Sequence, residues 1–229
     1  MSHRRENDSA DAHEARISEF GRAYAAALLS GDEVAAEIVI REAMEAKLGQ
    51  AVIDDEIIAP ALWLVGELWE RGEITVADEH LATEISIRVL ALQREAQRLA
   101  ETRRDHRIML AAVEGELHVV ALRMISNLLR SAGYDVVMLG ADVPARALAA
   151  SARRHGPDVV CLSSTMPGGG DQVLIAIHEV QRQAPSAGFV IGGRGLTSRL
   201  RSLPRVETCM RVGEVVEAVD ALVKRGDMN

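Results

Sequence analysis

The stretch Glu114-Gly-Glu-Leu-His-Val-Val-Ala121 directly follows the apolar run Ile108-Met-Leu-Ala-Ala-Val113. A short apolar run of this kind is typical of a buried strand. From Val119 to Ala132 the apolar residues recur at helical spacing, which predicts a helix packed on a sheet. His118 is therefore expected where a strand ends and a helix begins. Ligands bind at the carboxyl ends of the strands in an open parallel α/β sheet, so this position favours a ligand-binding imidazole.

Downstream of this stretch, predicted strands alternate with predicted helices. Strands are expected at 107–113, 135–139, 159–163, 188–191 and near 207–210, and helices at 119–132, 145–154, 171–183 and 212–224. Alternation at this spacing gives parallel strands joined by right-handed crossovers. The sequence therefore predicts a doubly wound, parallel-sheet α/β domain of Rossmann-like or flavodoxin-like type over residues 102–229.

Upstream of this domain the sequence predicts only helices. Apolar residues recur at helical spacing in 15–30, 34–48 and 53–69, and Pro60 is expected to kink or restart the third helix. Thr75 and Asp78 have the spacing of a capping box, which predicts the start of a fourth helix. We therefore expect a disordered polar start at 1–13 and a four-helix bundle over 14–101.

Composition restricts the classes of function. The 229-residue chain has a net charge of -8 and a pI near 5.4, which disfavours direct nucleic-acid binding. Cys161 and Cys209 form neither a metal-type spacing nor a disulfide framework, so a reducing, cytoplasmic compartment is expected. The sequence has no apolar run long enough for a membrane span, and its N-terminus lacks the apolar core of a secretory signal.

Three groups of residues fall at the carboxyl ends of the predicted strands. They are Glu116 with His118, Ser163 with Thr165, and the pair Gly192-Gly193. Glycines let a ligand approach the backbone, and hydroxyls can bind a buried polar group. Singly, each group also has a structural explanation, since paired glycines often form a turn and a serine often caps a helix. A nicotinamide dinucleotide is not expected, because no Gly-x-Gly-x-x-Gly follows the first strand.

The spacing of the three groups resembles that of the cobalamin-binding domain of methionine synthase, corrinoid methyltransferases and mutases. The family pattern is Asp-x-His-x-x-Gly, then Ser-x-Leu, then Gly-Gly; here it is Glu116-x-His118-x-x-Ala121, Ser163-x-Thr165 and Gly192-Gly193. The resemblance implies that His118 is the lower cobalt ligand and that Glu116 binds its other nitrogen. It also implies that Ser163 contacts the base of the cofactor's nucleotide tail. Glu for Asp lengthens the reach, and Ala121 for Gly adds a methyl group that could reduce affinity.

The helical half resembles the cap of cobalamin-dependent photoreceptors, the light-sensing parts of bacterial carotenoid-gene repressors. Trp69, nine further residues and Glu79-His80 match their Trp-x9-Glu-His signature. The resemblance implies that Trp69 covers an adenosyl group and that Glu79 and His80 shape its pocket. Without it, Trp69 would be interpreted as a core residue. In those photoreceptors a His follows the Trp and ligates cobalt after photolysis, whereas here Glu70 stands at that position.

These resemblances predict an adenosylcobalamin-binding photoreceptor that lacks a DNA-binding domain and is not an enzyme. Its signal is expected to pass through a homo-oligomer or a separate regulatory protein. One alternative is a corrinoid carrier of a methyltransferase system, and another is a plain cobalamin-binding or chaperone protein. The cap separates them, because a methyl carrier must open its upper face to two catalytic partners, whereas Trp69 and the Glu79-His80 pair suit a covered adenosyl group.

Overall fold

The computed structural model describes residues 2–96, 103–166, 168–193 and 198–227. The chain divides into two compact units, residues 1–96 and 97–229. The domain boundary predicted near residue 102 falls in the segment 97–102, which lies outside the described residues. Among the helices of the described ranges, none is long and apolar enough to cross a bilayer.

The N-terminal unit is helical. Its helices are α1 Ser2–Ser30, α2 Glu33–Glu45, α3 Gln50–Ile53, α4 Ala59–Glu70 and α5 Val76–Ala96. A π-helical turn, Asp54–Ile58, joins α3 to α4, so these three pieces form one long third helix. The predicted four-helix bundle is thus confirmed, and its core is filled by apolar side chains such as Tyr24, Leu28, Ile40, Ile57, Val65, Ile85 and Val89.

The position of Pro60 in the third helix and the start of the fourth helix both have local causes. Pro60 is the second residue of α4 and comes two residues after the π-helical turn, so its missing amide lies where the regular helical ladder is already interrupted. The predicted capping box is present before α5. The Thr75 amide donates to Asp78 Oδ2 at 2.8 Å, and the Asp78 amide donates to Thr75 Oγ1 at 3.3 Å.

The start of the chain differs from the expected disorder. Helix α1 begins at Ser2 and so includes residues 2–13. This segment contains several strong helix formers, among them alanine, glutamate and arginine. Helix propensity therefore accounts for a helical backbone where the sequence has no apolar pattern.

The C-terminal unit is a five-stranded sheet with helices on both faces. Its strands are β1 Arg107–Val113, β2 Asp135–Val143, β3 Val159–Ser163, β4 Gly188–Gly192 and β5 Val206–Cys209. Its helices are α6 Val120–Ser131, α7 Ala145–His155, α8 Gly170–Gln183, α9 Ser198–Arg201 and α10 Val215–Asp227, with a 3-10 turn at Val212–Glu214. All strand pairs are parallel, in the order β2-β1-β3-β4-β5. The predicted doubly wound, flavodoxin-like sheet is confirmed.

Strand β1 shows why the sheet is covered on both faces. Ile108, Leu110 and Ala112 belong to the core formed with α6 and α10, while Met109 and Ala111 belong to the core formed with α7 and α8. Side chains alternate between the faces of a strand, so a continuous apolar run buries both. The strand order reverses between β1 and β3, and ligands bind at the carboxyl ends of strands at such a point.

Strand β2 lies at one edge of the sheet and is longer than predicted. It was expected to end at Leu139, but it continues to Val143. Its pairing with β1 shifts register twice, between Leu110 and Ala111 and between Ala111 and Val113. These bulges bend the strand at its carboxyl end, beside the loop that follows β1.

Candidate functional site

The loop after β1 begins with a tight turn. The Glu116 amide donates to the Val113 carbonyl at 2.9 Å, and Gly115 takes φ of 82°. Only glycine adopts such a positive φ without steric cost. The turn therefore directs Glu116 back into the sheet while leaving Leu117 and His118 at the surface, before α6 begins at Val120.

Glu116 is the centre of the site. Its side chain is only 2% exposed, and both carboxylate oxygens accept hydrogen bonds. Oε1 accepts from the His118 amide at 2.9 Å and from His118 Nδ1 at 2.6 Å. Oε2 accepts from the Thr165 amide at 2.5 Å, from Thr165 Oγ1 at 2.6 Å and from the Met166 amide at 3.2 Å. One carboxylate thus joins the loop after β1 to the loop after β3.

These hydrogen bonds decide the charge of Glu116. Burial alone would raise the pKa of this carboxyl, but the hydrogen bonds from Thr165 and His118 outweigh burial and lower the pKa to about 2. Donors directed at a carboxylate stabilise its charged form. Glu116 is therefore an anion throughout the physiological pH range.

The charge of Glu116 in turn fixes the tautomer of His118. An ionised carboxylate can only accept, so His118 Nδ1 must carry the proton that it shares with Oε1. The Thr165 hydroxyl donates its proton to Glu116 Oε2, and its oxygen can also accept a hydrogen bond from His118 Nδ1, 3.0 Å away. In the neutral form of the ring, the lone pair is therefore on Nε2. Because the His118 side chain is 64% exposed, Nε2 can serve as a metal ligand, with Glu116 raising its basicity.

The other predicted residues of this unit lie near the same edge of the sheet but play different parts. Thr165 binds Glu116, which spacing alone did not indicate. Ser163 is buried at the end of β3, paired in register with Gly192, and takes no part in the hydrogen bonds of Glu116. Gly193 has φ of 107°, and a Cβ there would lie 2.2 Å from the Ser164 carbonyl oxygen. Gly193 is therefore required by close backbone packing.

Two features of this edge suit a large ligand. Leu117 and Met166, which are 70% and 50% exposed, flank His118 in the two loops. Exposed apolar side chains next to a potential metal ligand favour a flat, partly apolar group over a hydrated ion. Ser164 is buried, and its Oγ makes no hydrogen bond within the described ranges, so it can bind a polar atom of that group.

Of the predicted residues of the helical unit, Glu79 and His80 are joined by a hydrogen bond. Glu79 Oε2 bonds His80 Nδ1 at 2.6 Å, and Glu79 Oε1 accepts from Thr83 Oγ1 at 3.0 Å. Thr83 lies one turn after Glu79 on α5 and was not predicted from the sequence. His80 is exposed, and Trp69, in the last turn of α4, is 46% exposed. Trp69 is therefore not a core residue of its unit.

Comparison with known families gives the identity of the fold. The B12 binding domain matches residues 106–223, and a second B12 binding domain matches residues 21–93. The chain belongs to the B12-binding family. His118, Glu116 and Thr165 all lie inside the first match, so the donor set described above lies in a cobalamin-binding domain.

Curated relatives of this B12-binding chain fall into two groups. A trimethylamine corrinoid protein of Methanosarcina mazei is 25% identical over 72% of this chain and 78% of its own length. A transcriptional repressor of Myxococcus xanthus, CarH, is 34% identical over 63% of this chain and 47% of its own length. A corrinoid protein of Desulfitobacterium hafniense is 25% identical over 61% of this chain and 66% of its length. The chain thus spans about half of the repressor and about two thirds or more of these corrinoid proteins.

A solved structure confirms the fold of the B12-binding chain. The monomethylamine corrinoid protein of Methanosarcina barkeri matches with a TM-score of 0.71, covering 90% of this chain and 99% of that protein. Its sequence identity is 18%, so the match concerns the fold alone.

Proposed function

We propose that this B12-binding protein carries adenosylcobalamin and acts as a light sensor, not as an enzyme. The observation that carries the proposal is the half-exposed indole of Trp69 together with the Glu79-His80 pair in the helical unit. These residues match the signature of cobalamin-dependent photoreceptors, and their chemistry suits an adenosyl group. An indole offers a flat apolar surface, and a carboxylate can accept hydrogen bonds from ribose hydroxyls.

The curated relatives support this choice in one respect. The repressors CarH and CarA of Myxococcus xanthus are 34% and 31% identical to the aligned parts of this chain, whereas three tri- and dimethylamine corrinoid proteins are 25%, 28% and 24% identical. Light sensing is proposed on the basis of this likeness and of the signature formed by Trp69, Glu79 and His80. It does not need a DNA-binding segment, because the signal would pass through a change of homo-oligomer or through a separate regulatory protein.

The residues of the C-terminal unit fit a corrin with a photolabile cobalt–carbon bond, which is the chemistry that bound adenosylcobalamin would supply. His118 would ligate cobalt from below through Nε2, and Glu116 would hold the Nδ1 proton and orient the ring. Ser163, with Gly192 and Gly193 beside it, would contact the nucleotide tail. Thr165 would fix Glu116 and thereby the imidazole.

A corrinoid carrier of a methyltransferase system is the second candidate. It is favoured by the corrinoid proteins of methylamine metabolism among the relatives, of which this chain covers 76% to 81%. A carrier would have to expose the upper face of its corrin to other proteins. The cap residues therefore provide the test between the two functions.

The test compares the affinities of the protein for adenosylcobalamin and methylcobalamin in the dark. We expect the wild type to bind adenosylcobalamin more tightly, and Trp69→Ala to lose most of this preference, since the indole would cover the adenosyl group. Loss of a buried aromatic contact predicts a change of about tenfold or more in the affinity ratio. Absorbance titration of each purified variant measures it.

Trp63→Ala is the matched control for this test. Trp63 is also on α4 and is 59% exposed, so its removal changes the same helix without touching the signature. The preference should survive in Trp63→Ala. Equal affinity of the wild type for both cofactors would favour the carrier and contradict the light-sensor proposal.

A further inference from the structure

Asp142 is a non-glycine residue in a left-handed backbone conformation, next to the loop that carries the cobalt ligand. Its φ is 50°. Asparagine and aspartate tolerate this region better than other residues with a side chain, but it is still uncommon. Asp142 lies within the second register shift of β2, between Gly140, which pairs with Ala111, and Val143, which pairs with Val113.

In this conformation Asp142 makes two hydrogen bonds to the loop after β1. Its Oδ1 accepts from the Gly115 amide at 2.8 Å. Its own amide donates to the Glu116 carbonyl at 2.9 Å. The two bonds attach consecutive residues of the loop to the carboxyl end of β2, on the side opposite to β3.

The loop is thereby fixed from two sides. Thr165 and Met166, after β3, bind the side chain of Glu116, whereas Asp142 binds the backbone of Gly115 and Glu116. A side chain is directed accurately only when its own backbone is fixed. Bulges next to active sites commonly serve to direct one side chain, and here the bulged strand brings Asp142 to the loop.

We propose that Asp142 is a positioning residue for the His118 and Glu116 pair. It does not touch the cofactor in this scheme; it acts by fixing the backbone from which the cobalt ligand and its partner project. This inference rests on the proposed role of His118 as the lower cobalt ligand. The sequence alone does not indicate this role for Asp142, because an aspartate at this position could equally be a residue that caps a helix.

Three substitutions separate two properties of Asp142, its acceptor oxygen and its left-handed backbone conformation. Asp142→Asn keeps an acceptor oxygen and tolerates positive φ. Asp142→Gly keeps the backbone conformation but removes the acceptor. Asp142→Ala removes the acceptor and disfavours the conformation. Circular dichroism and thermal unfolding of each variant identify any that fail to fold, and the remaining variants are then compared with one another.

The first measurement uses the full-length protein without cofactor. Hydrogen exchange of the Gly115 amide and the ¹⁵N shifts of the His118 ring report the bond and the Nδ1–H tautomer directly. We expect Asp142→Gly to speed exchange at Gly115 about fivefold, as for the loss of one hydrogen bond, and to lower the share of the Nδ1–H tautomer. Asp142→Asn should match the wild type in both.

The second measurement uses protein loaded with adenosylcobalamin. The dissociation rate of the cofactor should rise about three- to tenfold in Asp142→Gly and Asp142→Ala, and a smaller fraction of the bound cofactor should give the imidazole-ligated spectrum than in the wild type. Asp142→Asn should restore both. Wild-type behaviour of Asp142→Gly in the cofactor-free protein would overturn the proposal. Absence of an imidazole-ligated spectrum in the wild type would instead refute the role of His118 as the lower ligand. The measurements on cofactor-free protein distinguish this outcome from failure of the Asp142 proposal.

Discussion

Glu116 occupies a position where the family pattern has an aspartate, and its extra methylene has a use in this structure. The carboxylate bonds His118 on its own loop, and it also reaches the Thr165 hydroxyl and amide on the neighbouring loop. The residue type and the spacing predicted the contact with His118. They did not predict Thr165 or the Met166 amide as partners, because these contacts depend on how two loops far apart in sequence meet.

Replacement of Glu116 tests this arrangement. In Glu116→Gln the side chain keeps its length but loses its charge, so it can no longer accept strongly from His118 Nδ1 while accepting from Thr165. We expect cobalamin affinity to fall about 10- to 100-fold, as for other partners of metal-bound histidines. Titration by absorbance measures this change. Glu114→Gln, an exposed residue of the same loop, is the control and should bind as the wild type does.

Replacement of His118 tests the proposed cobalt ligand itself. His118→Ala should bind cobalamin more weakly and give the spectrum of cofactor ligated by water or by its own base, because no imidazole would be supplied from this loop. The ring is exposed, but it donates to the buried carboxylate of Glu116, so its loss should lower the free energy of unfolding by about 1 kcal/mol. Absorption spectra and urea unfolding of the same sample measure the two effects. An unchanged spectrum with unchanged affinity would exclude His118 as the ligand.

At the scale of elements, the sequence predicted the helices and strands that bury apolar residues. β1 and β3 have the predicted bounds, since their apolar runs end at polar residues. Elements without an apolar period were missed or misplaced: the first turns of α1, the short helix α9 and the last residues of β2. Their conformations depend on helix propensity or on bulges, which leave no periodic pattern in the sequence.

The π-helical turn of the bundle contains a buried acid that no sequence pattern indicates. Asp54 is fully buried, and neither carboxyl oxygen makes a hydrogen bond of good geometry within the described ranges. Burial, with a further contribution from the nearby charge of Asp55, raises the pKa of Asp54 to about 7, and Gln50 offsets this rise only in part. Such turns interrupt the regular helical ladder, and here the interruption places a carboxyl group in the core.

The raised pKa makes the stability of the helical unit depend on pH. Unfolded Asp54 titrates near its ordinary value of 3.8 and folded Asp54 near 7, so the folded state binds more protons between these pH values. The contribution of Asp54 to the free energy of unfolding therefore falls as pH rises from about 4 to about 7. Asp54→Asn should remove this loss and stabilise the protein at pH 8 by on the order of 2–4 kcal/mol.

Urea unfolding at pH 5 and pH 8, followed by circular dichroism, measures the effect of Asp54→Asn. The gain should be larger at pH 8 than at pH 5. Glu45→Gln removes an exposed carboxyl from the same unit and should show no such difference between the two pH values. An equal effect of Asp54→Asn at both pH values would mean that Asp54 titrates normally in the folded protein.

At the scale of the whole molecule, the proposed function requires that light changes the assembly. Protein loaded with adenosylcobalamin in the dark should change its oligomeric state after green light, as measured by size-exclusion chromatography with light scattering. Because Glu70 replaces the histidine of the photoreceptors, water or hydroxide should complete the upper side, so the spectrum after illumination should shift with pH. Methylcobalamin-loaded Trp69→Ala is the control for cofactor specificity.

Two outcomes would contradict this prediction. An unchanged oligomeric state after complete photolysis would mean that the homo-oligomer does not carry the signal. A separate regulatory protein would then have to receive it. A pH-independent spectrum of two imidazoles, lost in His80→Ala, would show that the helical unit supplies the second ligand in spite of Glu70.

The hydrogen bonds between Glu116 and Thr165 also determine when the cofactor site can form during folding. The two residues are 49 positions apart in the chain, and α6, β2, α7 and β3 lie between them. Contacts between residues so distant in sequence form late, because the entropy of closing the intervening chain must be overcome first. A newly synthesised chain would therefore bind its cofactor only after its central strands have paired. The cofactor would bind the folded protein and not a folding intermediate.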